Sequence, residues 1–194
     1  NKHIKTFSFS SHEIGLLLGN VQSGKTGQMF GIICKAADLG FPVFVLLTTD
    51  NVVLQQQTLD RVRADLEGFC ICGENDAALF AENNLMDPVI IVLKKNVRML
   101  KLWANILNST GFMKGNPLFI IDDEADAASS PHSVPRFLMH CGCFRQMLSH
   151  PSLHFYTHTE WFQAQAGQSP LPVYCANSRP FLTGHGCYYN CRSY

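Results

Sequence analysis

Hydrophobic positions along the chain change period in a regular way, and each change marks the edge of an element. Ile14-Gly15-Leu16-Leu17-Leu18 is a short continuous apolar run and predicts a buried strand. Met29, Phe30, Ile32, Ile33, Ala36, Ala37 and Leu39 then recur at helical spacing. Gly40 and Pro42 stop that helix, which is predicted from about Lys25 to Leu39. Val43–Leu47 is apolar throughout and β-branched or aromatic in part, as suits a parallel strand covered on both faces. Thr48-Thr49-Asp50-Asn51 offers capping side chains, and Val52, Val53, Leu59, Val62 and Leu66 carry the next helix. Phe69–Cys72 predicts a short strand and residues 74–87 a short helix. Val89–Leu93, opened by Pro88, is the next buried strand; Val97, Leu100, Ala104 and Leu107 give the helix after it. A turn-rich loop from Asn108 to Pro117 leads into Leu118-Phe119-Ile120-Ile121 and then Asp122-Asp123-Glu124-Ala125-Asp126.

Strands alternating with helices in this rhythm predict an α/β fold: three layers around a central, mostly parallel sheet with right-handed crossovers. Ligands bind at the carboxyl ends of such strands. The segments Gly19–Thr26 and Asp122–Asp126 both fall there, so they are expected to face one site.

Composition changes this picture only past residue 130. The 194 residues suffice for one domain or one with a small appendage, and the formal charge is zero. That balance hides an asymmetry. Residues 1–130 hold 11 basic and 14 acidic residues, whereas residues 131–194 hold only Arg136, Arg145, Arg179, Arg192 and Glu160. The tail carries five of the eight cysteines and six of the eight histidines. Helical periodicity weakens after about Ser149, and Pro170, Pro172 and Pro180 interrupt any long element. Residues 1–130 are therefore expected to form the main lobe, with 131–194 an irregular Cys/His-rich extension. Three readings of the extension stand: a zinc appendage using His140, Cys141, Cys143, His185, Cys187 and Cys191; a loosely ordered segment; or out-of-frame translation. No apolar run reaches the roughly 18–20 residues of a membrane span. The N-terminus lacks the apolar core of a signal peptide and begins without Met, which reads as a fragment of a cytoplasmic protein whose cysteines stay reduced.

The chemistry is concentrated in two places. Gly19-Asn20-Val21-Gln22-Ser23-Gly24-Lys25-Thr26 fits G-x-x-x-x-G-K-[ST], the loop whose backbone N–H groups cradle nucleotide phosphates. A strand precedes it and a helix follows, so the glycines allow close approach and the helix N-terminus presents unpaired N–H groups. Gly19, Gln22, Ser23, Gly24, Lys25 and Thr26 are the nucleotide-binding candidates, with Lys25 on the β- and γ-phosphates and the Thr26 hydroxyl on Mg²⁺. The acidic cluster supplies the second half of a nucleotide hydrolase site. Asp123 is assigned to Mg²⁺, with Asp122 as a competing register, and Glu124 to activation of water. Asp126 is assigned to coupling with neighbouring segments. ATP and Mg²⁺ are the expected cofactors.

Asp123-Glu124-Ala125-Asp126 spells the DEAD box of superfamily-two helicases. Together, Gly-Asn-Val-Gln-Ser-Gly-Lys-Thr and the run from Ile121 to Ser129 resemble the endonuclease Z-one domain family of bacterial restriction-like and phage-defence systems. Thr48-Thr49-Asp50, Gln55-Gln56-Gln57-Thr58 with Arg61, and Leu93-Lys94-Lys95-Asn96 are similar to further segments of that family. The resemblance covers about residues 13–130. It implies a RecA-like ATP-binding lobe working on DNA, and by helicase analogy Thr48, Thr49, Lys94 and Lys95 line the nucleic-acid path.

A motor of that kind needs a second lobe, and the residues after Ser130 are too few to form one. A second RecA-like lobe or nuclease partner is therefore expected from outside this chain, which contains no complete nuclease site of its own. The leading expectation is ATP binding and hydrolysis in a DNA-processing protein. The alternatives are a P-loop phosphotransferase acting on a small metabolite, and a nucleotide-dependent binding switch without turnover.

Overall fold

The computed structural model describes residues 12–18, 24–123, 150–158 and 173–175. In chain order the elements are β1 (His12–Leu18), α1 (Lys25–Ala37), β2 (Val43–Thr48), α2 (Val52–Asp65), β3 (Cys70–Cys72), α3 (Ala77–Asn83), β4 (Val89–Lys94), α4 (Val97–Ser109), a 3₁₀ turn (Gly111–Met113), β5 (Leu118–Asp122), β6 (Ser152–His158) and β7 (Val173–Cys175). The strands form one sheet in the order β3-β4-β2-β5-β6-β1-β7, and every described pairing is parallel. The α/β expectation therefore holds.

Local sequence explains most boundaries. Asn51 caps α2, its Oδ1 accepting from the backbone N–H of Val53 at 2.8 Å and of Leu54 at 3.3 Å. Asn96 caps α4 in the same way, through the N–H of Arg98 at 3.0 Å. Gly40, at φ 94°, turns the chain after α1 in the left-handed region where a Cβ is strained. Ala36 C=O closes that turn by accepting from Leu39 and Phe41.

Chain direction and helix placement are linked. The steps β1 to β2 and β2 to β3 run toward the β3 edge, and their helices α1 and α2 share one face of the sheet. The steps β3 to β4 and β4 to β5 run back, and α3 and α4 lie on the other face. A constant crossover hand requires this exchange of faces when direction reverses.

Strand residues alternate between the two cores accordingly. Val43, Val45, Leu47, Val89, Ile91, Leu93, Leu118 and Ile120 meet α3 and α4, while Phe44, Leu46, Ile90, Val92, Phe119 and Ile121 meet α1 and α2. All of these strand positions are at most 2% exposed, which accounts for the unbroken apolar runs.

The sheet does not end where the composition changes. Ser152–His158 inserts as β6 between β5 and β1, and Val173–Cys175 pairs with β1 from its other side. Residue 130 is thus not a boundary of the sheet. Alternating side chains in Leu153-His154-Phe155-Tyr156-Thr157 carry the strand period, but the high Cys/His content and proline punctuation of the surrounding tail masked it. Among the described residues, no helix is long and apolar enough to cross a membrane.

Candidate functional site

Register sets the geometry at the carboxyl edge. Leu93, Leu47, Asp122, Tyr156 and Leu16 lie side by side across β4, β2, β5, β6 and β1. β1 and β5 are separated by β6 alone, so their ends stand roughly 10 Å apart at two strand spacings. The chain leaving β1 and the chain leaving β5 therefore emerge at neighbouring points of one edge.

Of the phosphate-loop candidates, Gly24, Lys25 and Thr26 are described, while Gly19, Gln22 and Ser23 lie outside the described residues. Gly24 adopts φ 75° and ψ 25°, a left-handed conformation that turns the chain directly into α1. It supplies no side-chain cap, and the first turn of α1 contains no acidic residue. The orphan N–H groups and positive dipole end thus have no acidic side chain from the first turn of α1 itself beside them. Lys25 and Thr26 are both half-buried.

A cavity of about 110 Å³ opens between α1, α2 and the ends of β2 and β5. Thr26, Thr48, Thr49, Leu54, Gln57, Thr58, Arg61 and Asp123 line it. Two residues expected to share a metal, Thr26 and Asp123, come together here from distant parts of the sequence. Among the described lining residues, Arg61 and Asp123 are the charged ones and Leu54 the apolar one. A hydroxyl and a carboxylate are hard oxygen donors of the kind Mg²⁺ takes, one or two from protein and the rest from phosphate and water. The volume falls below the roughly 300–1,000 Å³ that encloses a drug-sized ligand. Among the described residues, no group of three or more His, Cys, Asp or Glu side chains could hold a metal by itself.

The adjacent carboxylates part company because strand side chains alternate. Asp122 shares its row and its face with Leu47 and Leu93, and it is fully buried. Its Oδ1 lies 2.7 Å from Lys95 Nζ, in an ion pair whose side chains are 0% and 4% exposed. Asp123, one residue on, opens into the cavity on the opposite face, and its N–H extends the ladder to Leu47 C=O at 2.8 Å. Of the two registers, then, Asp123 shares the cavity with Thr26 and Asp122 is paired with Lys95. Glu124 and Asp126 lie outside the described residues, as do the six zinc candidates of the tail.

The four nucleic-acid candidates divide. Thr49 is half-buried on the cavity, and Thr48 is buried there, its hydroxyl donating to Leu93 C=O at 3.3 Å. Lys95, placed on a nucleic-acid path by analogy, instead turns inward: its ammonium also donates to Asp123 C=O at 2.8 Å. Lys94 is bound by Glu74, whose Oε1 accepts from the Lys94 N–H at 3.0 Å and whose Oε2 lies 3.4 Å from its Nζ. Glu74 C=O in turn accepts from Trp103 Nε1 at 3.0 Å. Both lysines thus tie the end of β4 into the protein.

Sequence reading gave no site role to Gln57, Thr58 or Arg61, and did not find the Lys95–Asp122 pair. Gln57 and Arg61 sit four residues apart on α2, a spacing that puts them on one helix face. Helical spacing therefore carried a signal; what was missing was the knowledge that this face borders Thr26. No protein-family model matches the chain, and no curated protein matches it in sequence.

Proposed function

We propose that this chain is a P-loop nucleotide-binding domain of RecA-like type that binds ATP with Mg²⁺ and hydrolyses it in a DNA-processing system. The observation that carries the reading is the meeting of Thr26 and Asp123 on one cavity beside the left-handed Gly24. Backbone N–H groups at the start of α1, with Lys25, would bind the phosphates. The Thr26 hydroxyl and the Asp123 carboxylate would hold Mg²⁺, and Arg61, on the same cavity, would add positive charge facing the phosphates. Mg²⁺ held by these two residues would supply positive charge to offset the negative charge of the phosphates. Glu124 would accept a hydrogen bond from the attacking water, whose oxygen displaces ADP from the γ-phosphorus. The DNA setting rests on the resemblance of the motif spellings to the Z-one family.

The test is Mg²⁺-dependent ATP hydrolysis by the full chain, with and without DNA, alongside Thr26→Ala, Asp123→Asn and Glu124→Gln. Each substitution is expected to lower kcat by about 10²–10³-fold, the size seen when one transition-state-stabilising group is removed. Turnover that survives Glu124→Gln rules out its assignment. Tight ATP binding without hydrolysis in the wild type would favour the switch reading instead.

A further inference from the structure

Lys95 invites a question that packing alone does not answer, because a buried ion pair is a poor stabiliser. Replacing such a pair by apolar side chains of similar volume is often neutral or favourable, since both charges lose their hydration on burial. Leucine-rich surroundings were available here: Leu47, Leu93 and Leu100 belong to the same core. The pair nevertheless sits directly behind the residue that opens on the cavity.

The geometry around Asp123 gives the pair a purpose. Its N–H is fixed to Leu47 C=O at 2.8 Å, and its C=O is fixed to Lys95 Nζ at 2.8 Å. Lys95 is itself anchored, its backbone N–H donating to Thr48 C=O at 3.0 Å and its ammonium held 2.7 Å from Asp122. Asp123 follows the last residue of β5, where a chain ordinarily gains freedom. Here both of its backbone polar groups are bound, and the lysine side chain that binds one of them is only 4% exposed.

We propose that Lys95 is a positioning residue: by clamping the Asp123 peptide from behind, it aims the Asp123 carboxylate into the cavity shared with Thr26 and so sets divalent-cation affinity there. This rests on reading the cavity as the metal and phosphate end of a nucleotide site. Lys95 contacts neither nucleotide nor ion; it acts through Asp123. The alternation of strand side chains makes the device economical, since Asp122 points away from the site and supplies the anchor while Asp123 points into it.

Three forms of the full chain test this: the wild type, Asp122→Asn, and the double variant Lys95→Met/Asp122→Leu. The double variant removes both charges together and leaves neither one unpaired. Mn²⁺ binding in the presence of a non-hydrolysable ATP analogue is read by water-proton relaxation, nucleotide binding without metal by calorimetry, and folding by thermal melting. The double variant is expected to melt like the wild type and bind metal-free nucleotide equally well. Its Mn²⁺ affinity should be about 10–100-fold weaker, the loss typical when a group supporting a metal ligand is removed. Asp122→Asn keeps the clamp on the Asp123 carbonyl and should lose less than the double variant. Unchanged Mn²⁺ affinity in a folded double variant overturns the proposal and leaves the nucleotide reading standing. Loss of its melting transition assigns Lys95 a structural role alone and overturns the proposal too. Failure of the wild type to bind Mn²⁺ with nucleotide removes the underlying reading and the proposal with it.

Discussion

The same strands face two cores, and the cores differ at the carboxyl edge. On the α3/α4 face the apolar packing runs on through Leu47 and Leu93 to the Lys95–Asp122 pair. Trp103 and Phe80 are fully buried there in an edge-to-face contact with centroids 5.8 Å apart, and Phe112 packs 5.3 Å from Phe80. On the α1/α2 face the aromatic residues gather at the amino half instead. Phe119 meets Phe41 at 5.2 Å and Phe44 at 5.5 Å, and beyond Leu46 and Ile121 the lining turns polar with Thr48 and Asp123. One face is filled to the edge; the other leaves room for chemistry. The lesson is that side-chain parity within a single strand decides which face a residue serves, so that Asp122 turns into the filled face and Asp123 onto the cavity.

The largest break in that comparison comes from emptying the filled face. Trp103→Ala removes a fully buried indole and the hydrogen bond from its Nε1 to Glu74 C=O. Stability should fall by about 3–5 kcal/mol, as for other large aromatic truncations, read as a lowered urea midpoint. The loss reaches beyond the cavity it creates, because Glu74 also holds Lys94. A loss below about 1 kcal/mol would mean that α4 is not bound to the sheet as described.

Much of this contrast was legible in the sequence, though not where it matters most. Unbroken runs such as Val43–Leu47 and Val89–Leu93 announce strands covered on both faces, and Asn51 announces the start of α2, because these signals are local. The meeting of the β1 and β5 ends followed from the α/β pattern itself. β6 was not legible, since its partner β1 is far away in sequence and its neighbours in the chain are atypical. The inward turn of Lys95 was not legible either. Two consecutive lysines at the end of a strand carry no local sign of which way each turns, and only the register that sets β4 beside β2 and β2 beside β5 reveals that one of them can reach Asp122.

A second prediction sharpens the comparison from the open side. Arg61→Ala should leave stability within about 0.5 kcal/mol, because the side chain is exposed and supports no core residue. If Arg61 meets charge on the terminal phosphate, kcat for ATP hydrolysis should fall at least about tenfold, or roughly 1.4 kcal/mol in activation free energy. The face comparison requires the two readouts to diverge. A variant that loses stability but keeps its turnover would put Arg61 in the fold and take it out of the site.

The smallest effect concerns the edge of the filled face and is read through pH. Cys72 ends β3 and is fully buried in the α3/α4 core; burial raises its thiol well above the usual range, and the neighbouring Cys70 adds to the shift. Burial also raises Cys70. In the unfolded chain a cysteine thiol ionises near about 8.5, so above that pH the unfolded state releases a proton that the folded state keeps. The contribution is therefore complete below the unfolded value and declines as pH rises past it, by at most about 1.4 kcal/mol per pH unit for each thiol. Cys72→Ala removes one of these protons along with a few buried contacts. Its deficit against the wild type, taken from urea midpoints, should be constant up to about pH 8 and then narrow toward pH 10. A deficit that stays the same across that range would mean that Cys72 ionises as freely in the fold as outside it, and the α3/α4 face would then be open to water at its β3 edge.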